Sequence, residues 1–161
     1  MGFISKKNLN LINKKILEYP YDGIIFFVSD ENYSVFLNPL LASLNLYAEK
    51  WLYIYVKLGS FTFDYINKEN LIEIKIDYPE NIIKNKKKAY SANIRAPIIY
   101  ELASGINTNK LIYTDIDNIL INNVNNLFNK KKLYIRKVYF NFIDKILGSE
   151  KRVMNHKSGV I

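Results

Sequence analysis

The sequence predicts an α/β domain built on a mostly parallel sheet flanked by helices. Three observations carry that expectation. Ile24–Val28 and Trp51–Val56 are unbroken apolar runs of strand length, the pattern of strands buried on both faces. Between the strand-like runs lie segments whose apolar residues recur at helical spacing. The two kinds of segment alternate along the chain, as in βαβ units.

Each element follows in order. Leu9, Ile12, Ile16 and Leu17 repeat at helical spacing among lysines, which predicts a short amphipathic helix within residues 3–18. Pro20 ends it, and Asp22-Gly23 turns the chain. Ile24–Val28 is the first strand, and Ser29–Tyr33 a polar loop. Residues 34–48 return to helical spacing through Val35, Phe36, Leu40, Leu44 and Tyr47. Pro39 is at odds with an uninterrupted helix there and puts its first turn in question. Trp51–Val56 is the second strand, and Leu71–Ile76 a weaker third with alternation. Lys84–Lys88 reads as a solvated loop or a helix start. Tyr90–Ala103 fits a helix interrupted near Pro97 and closed by Gly105. Leu111–Tyr113 is a fourth strand. Further on, Leu133–Val138 reads as a strand, residues 139–147 as a helix, and Ser158–Ile161 as the start of a last strand. No internal repeat or linker-like shift in composition divides the chain. The organisation expected is an N-terminal helical extension, 1–22, followed by one domain, 23–161.

Composition bounds the function. The 161 residues are 49% apolar and 24% charged, with six Gly and four Pro. That is a globular chain, not a disordered or collagen-like one. With no Cys there is no disulfide, thiolate metal site or Cys nucleophile, which suits a reducing compartment. The apolar runs are far shorter than a transmembrane span, and MGFISKKNLN lacks the apolar stretch of a signal peptide. The formal net charge is +8, nearly all from Lys, since Arg95, Arg136 and Arg152 are the Arg residues. Such charge favours an anionic partner without choosing among nucleic acid, anionic lipid and phosphorylated small molecules. The richness in Lys, Asn and Ile also fits an AT-rich genome.

Three local patterns carry possible chemistry. In Thr114-Asp115-Ile116-Asp117, two carboxylates separated by one residue sit just past a strand. Extended backbone would project both to one side, where hard oxygen ligands suit Mg²⁺ or Mn²⁺ bridging to phosphates. Read blandly, the same residues are a solvated acidic turn. In Ser29-Asp30-Glu31-Asn32-Tyr33, Asp30 and Asn32 can hydrogen-bond a base or ribose and Tyr33 can stack on a ring. The alternative is an Asx turn with Asp30 or Asn32 capping a helix. In Tyr90–Arg95, a helix start with an Arg suits an anion, or is an ordinary first turn with a surface Arg.

Taken together, and in this order, the patterns resemble the glycosyltransferases of the GT-A fold, most closely glycosyltransferase family 8. Val28-Ser29-Asp30-Glu31-Asn32-Tyr33 is similar to that family's first strand end. Tyr90 to Arg95 resembles its helix carrying Tyr-x-Arg. Tyr113-Thr114-Asp115-Ile116-Asp117 resembles its Tyr-Leu-Asp-x-Asp. Asn118–Phe128 resembles the stretch leading to Leu-Trp or Leu-Phe, and Asn155–Ile161 the Phe-Asn-x-Gly-Val strand. The likeness runs from about Gly23 to the last residue. Arg95 stands further from Tyr90 than in the family, so either Asn93 or Arg95 takes the Arg position. Lys157 replaces the usual Asn.

The resemblance implies a Rossmann-like GT-A fold, incomplete at the C-terminus. It implies that Asp30, Asn32, Tyr33, Asn93, Arg95 and Asp115 bind the nucleotide, and that Asp115 and Asp117 hold Mn²⁺ or Mg²⁺. The donor implied is a UDP-linked hexose, and the acceptor a glycan of lipopolysaccharide type in bacterial polysaccharide biosynthesis. The place of action implied is the cytoplasm, at the inner face of the membrane. The family continues beyond the strand that Ser158–Ile161 begins and draws a third metal ligand, a His, from there; His156 is not at that position. An active hexosyltransferase and a truncated, non-catalytic relative are thus both open, and the 161-residue chain is expected to bind nucleotide weakly without turnover. From a different class, a basic nucleic-acid-binding module would use the lysines together with the 13 Tyr and nine Phe. The paired carboxylates repel a phosphate backbone, and the aromatics lie at core periodicity, so no nucleic acid is expected. Lys84–Lys88 and Lys130–Lys132 read as solvated loops whose charge also suits phosphates or peripheral contact with a membrane surface.

Overall fold

The computed structural model describes residues 2–66, 68–83, 86–108 and 110–128. Within them the chain runs α1 (Lys6–Glu18), β1 (Ile24–Ser29), a 3-10 helix (Glu31–Phe36), α2 (Leu37–Tyr47), β2 (Leu52–Leu58), β3 (Leu71–Ile76), α3 (Lys87–Asn93), α4 (Arg95–Gly105), β4 (Leu111–Tyr113) and a 3-10 helix (Val124–Phe128). The elements expected at Leu133–Val138, 139–147 and Ser158–Ile161 lie outside the described residues, as do Lys130–Lys132 and His156.

The four strands form one sheet in the order β3-β2-β1-β4, with every pairing parallel. This is an α/β Rossmann-like arrangement. The chain steps outward from β1 to β2 and β3, then crosses back to place β4 on the other side of β1. The strand order therefore reverses between β1 and β4. In open α/β sheets such a reversal opens a crevice at the carboxyl ends of the strands, because the flanking connections leave in opposite directions.

The apolar patterns place each layer. β1 and β2 are buried along both faces, as their unbroken runs predict. Ile24, Phe26 and Val28 face one core with Leu52, Ile54, Val56 and the β3 residues Ile72, Ile74 and Ile76. Ile12 of α1 and Ile98 and Leu102 of α4 cover that face. Ile25, Phe27, Tyr53 and Tyr55 face the opposite core, covered by Leu37, Leu40, Leu41 and Leu44 of α2. Right-handed crossovers in opposite directions put α2 and α4 on opposite faces. β3 alternates because it is an edge strand: Ile72, Ile74 and Ile76 are buried, while Glu73 and Lys75 are exposed.

The helix boundaries differ from the sequence expectation for physical reasons. Over 34–48, where Pro39 puts the first turn in question, a 3-10 turn is followed by α2, which begins at Leu37. Pro39 then falls in the first turn, where a missing N–H has no carbonyl to serve. The interruption expected near Pro97 in Tyr90–Ala103 falls at Ile94, where two helices meet. Pro97 has no N–H for the Asn93 carbonyl, and its ring crowds that group, so the break falls there. The N-terminal segment packs down rather than projecting. The backbone N–H groups of Phe3 and Ile4 donate to the Glu101 carboxylate at 2.9 and 2.7 Å, and Ser5 caps α1. No helix among the described residues is long and apolar enough to cross a membrane.

Candidate functional site

The crevice at the β1/β4 reversal is lined by side chains from three parts of the sequence. Ser29 ends β1, and Asp30 and Tyr33 follow it; Lys88, Ser91, Ala92 and Arg95 come from α3 and the start of α4; Asp115, Ile116 and Asp117 follow β4. They enclose about 120 Å³. A second cavity of similar size shares Asp30 and adds Asn32, Gly59, Phe61, Tyr78 and Lys87. Asn93 is exposed on the far end of α3 and lines neither cavity. Of the two residues open for the Arg position, Arg95 reaches the crevice.

Asp30 is buried and engaged through both oxygens. Its Oδ1 accepts the Asn32 N–H at 3.0 Å, capping the 3-10 helix. Its Oδ2 lies 3.1 Å from the Ser91 hydroxyl, 61 positions away. Ser91 Oγ in turn lies 3.0 Å from the Tyr78 hydroxyl and 2.9 Å from the Lys87 carbonyl, so its single proton is shared among competing acceptors. The Asx-turn reading of Asp30 is thus realised, and the same carboxylate also faces the cavity. Tyr33 is partly exposed, with its ring 6.3 Å from that of Phe36, and Asn32 is exposed beside it.

The acidic pair is not in extended geometry. β4 ends at Tyr113, and Asp115–Asn118 form a turn closed by an Asn118 N–H to Asp115 carbonyl bond of 3.1 Å. The two carboxylates consequently differ. Asp115 is buried, and its Oδ1 accepts from Arg95 Nη1 at 2.6 Å and from the Tyr113 hydroxyl at 2.5 Å. Asp117 is exposed. Among the described residues nothing donates to Asp115 Oδ2, and Asp117 makes no hydrogen bond or ion pair.

Tyr113 braces this corner. Its ring packs at 5.1 Å from Phe26, and the Arg95 guanidinium lies 5.8 Å from its ring centre. Burial first, and then the hydrogen bond to Asp115, push its hydroxyl well above the ordinary tyrosine value. It stays protonated, and a donor, at any pH where the protein works. Burial likewise pushes Tyr55 up to about 12; its hydroxyl lies 2.9 Å from Ser29 Oγ at the crevice floor.

The donor set fits a hard divalent cation on chemical grounds. Asp115 Oδ2 and the Asp117 carboxylate are oxygen ligands that no described residue occupies. Mg²⁺ and Mn²⁺ are commonly held by one or two carboxylates, with phosphate and water completing the shell. Among the described residues no cluster of three or more His, Asp or Glu side chains is placed to hold a metal ion.

Two contributors were given no site role of their own by sequence. Lys88 belongs to a run that reads as solvated, yet it shares a helix face with Ser91 and lines the cavity. Its spacing of three residues from Ser91 was the available signal. Tyr113 reads as strand core, yet it stands two residues before Asp115, the same offset that drew attention to Asp117.

No protein-family model matches the chain, and no curated protein matches it. Among solved structures, the chain is similar to the galactosyltransferase LgtC in complex with donor and acceptor sugar analogues, at 16% identity and a TM-score of 0.47. That likeness covers 85% of this chain and 56% of LgtC. It is also similar to the apo form of the glycosyltransferase GlyE of Streptococcus pneumoniae TIGR4, at 14% identity and a TM-score of 0.46, covering 85% of this chain and 32% of GlyE. The chain thus spans about half the length of the first of these proteins and about a third of the second.

Proposed function

We propose that the crevice binds a nucleoside diphosphate sugar, a UDP-linked hexose, and that the chain is a glycosyltransferase-type domain of family 8 character serving hexosyl transfer to a hydroxyl of a glycan acceptor. The observation that carries this reading is the meeting of Asp30 and Tyr33, Ser91 and Arg95, and Asp115 and Asp117 at the one point where the strand order reverses. Ligands of open α/β sheets gather at that point, and the motif order along the chain resembles that family's.

In this reading Asp30 and Asn32 hydrogen-bond the nucleoside, and Tyr33 offers a ring face to the base. Asp115 and Asp117 hold Mn²⁺ or Mg²⁺. When bound, the cation neutralises charge on the departing diphosphate as a Lewis acid. Arg95 and Tyr113 act through Asp115: both donate to Oδ1, which fixes the carboxylate and leaves Oδ2 turned to other ligands. The ligand exceeds either cavity alone, and in this reading it extends from one to the other past Asp30, which lines both. The place of action in this reading is the cytoplasm, next to the inner membrane face where a lipid-linked acceptor would be.

Calorimetric titration with UDP, with Mn²⁺ and with chelator, tests the reading. Binding that needs the metal and is lost in Asp117→Ala, whose folding is intact because Asp117 is exposed and unbonded, is the expected result. Equal binding in chelator contradicts the metal role, and no binding of UDP or uridine in either condition contradicts the reading as a whole.

A further inference from the structure

The cations of the crevice are unequally available. Arg95 is committed to Asp115 by a 2.6 Å bond. Lys87 lines the second cavity with its ammonium 5.0 Å from the Tyr78 ring centre. Lys88 lines the first cavity and forms no ion pair or hydrogen bond among the described residues. It stands on the same face of α3 as Ser91, whose hydroxyl is on Asp30, and lines the same cavity as Asp115 and Asp117.

The acidic side of this cavity needs an explanation that includes Lys88. Asp30, Asp115 and Asp117 bring three carboxylates, of which Arg95 offsets one. A divalent cation on Asp115 and Asp117 would offset the remaining two, so the negative charge of an added phosphate chain would be left uncompensated. An anion spanning the cavity meets carboxylate-bound metal on the β4 side, and on the α3 side Lys88 is the cation left to meet it.

We propose that Lys88 is a binding residue for the phosphate chain of the ligand, contacting it from α3 opposite the two carboxylates. This rests on the nucleotide-sugar reading for the identity of the ligand, but the phosphate contact itself is a property of the cavity. An ammonium on a flexible stem makes charge-assisted hydrogen bonds to phosphate as a point charge, without the fixed fork of Arg. Its contribution grows with the number of phosphates and is absent for a nucleoside.

The test uses the full chain with Mg²⁺ and four probes: uridine, UMP, UDP and inorganic pyrophosphate. Lys88→Gln is compared with wild type, with Lys88→Arg, and with Lys14→Gln as a control for net charge, Lys14 being a surface residue of α1. The expected result is about tenfold weaker binding of UDP and pyrophosphate by Lys88→Gln, an effect the size of one lost charge-assisted bond. UMP is affected less, uridine is unchanged, and Lys88→Arg recovers most of the loss. Unchanged pyrophosphate and UDP affinity in Lys88→Gln, or an equal loss in Lys14→Gln, overturns the assignment of Lys88 while leaving the nucleotide-sugar reading standing. Conversely, Lys88-dependent binding of pyrophosphate by a protein indifferent to uridine and UMP upholds the phosphate contact and overturns that reading. A wild-type chain that binds none of the four probes overturns both.

Discussion

Arg95 and Asp115, 20 positions apart, are joined across the crevice by a 2.6 Å bond between Nη1 and Oδ1. The bond ties the first residue of α4 to the turn after β4, so it fixes the helix against the sheet edge where the two acidic residues lie. Asp115 is the more enclosed partner: its side chain is 12% exposed, against 38% for Arg95.

That asymmetry predicts unequal damage. Asp115→Ala removes the acceptor of both the guanidinium and the buried Tyr113 hydroxyl, and should lower stability by about 2–3 kcal/mol. Arg95→Ala leaves Asp115 with the Tyr113 bond, and the exposure of the guanidinium lets water screen the pair, so about 1 kcal/mol is expected. Urea unfolding of the two variants checks the order. An Arg95→Ala loss equal to or above that of Asp115→Ala would mean that the Tyr113 bond contributes nothing.

Alkali should unfold the protein in a definite window. Burial pushes Tyr53 and Tyr55 up to about 12 from the ordinary 10. A folded-state value above the unfolded one gives stability that is complete below pH 10 and lost as pH rises toward 12. Each phenol contributes of the order of 2 kcal/mol over that range. Native circular dichroism should therefore be lost between those values, and Tyr55→Phe should move the midpoint upward. A midpoint left unmoved by both Tyr53→Phe and Tyr55→Phe would contradict the burial account.

Gly23 is required by close approach. A Cβ there would lie 2.5 Å from the Trp51 ring and 2.8 Å from the Lys110 carbonyl oxygen, neither of which can move without shifting β2 or β4. Gly23→Ala should cost about 1–3 kcal/mol, read as a lower urea midpoint with an unchanged slope. A midpoint equal to wild type would mean that the sheet edge yields easily.

Much of this was legible in the residues themselves. The unbroken run of Ile24–Val28 predicts a strand with both faces covered, and the alternation of Leu71–Ile76 predicts a strand with one face covered, because burial on two faces or one is what sets those patterns. Asp30 and Asp115 were legible as strand-end residues. What the sequence did not reveal depends on packing. Pro39 reads as a helix interruption until the helix start is fixed at Leu37. Lys88 reads as solvated because its neighbours Lys86 and Lys87 are also Lys, and only the docking of α3 beside β1 brings it to the crevice. The unequal burial of Asp115 and Asp117 arises from a turn that an extended-strand reading does not contain.

The central claim is that the crevice after β1 and β4 holds a metal-bound nucleotide, and paramagnetic broadening of amide signals by Mn²⁺ in the presence of UDP tests it most directly. The account predicts broadening confined to the residues around Asp30, Ser91, Arg95, Asp115 and Asp117, and its disappearance in Asp117→Ala. A second acidic surface, with Glu18, Glu49 and Glu69, lines an open cleft among other residues and provides the internal comparison. Broadening centred there, or spread evenly over the surface, would contradict the account.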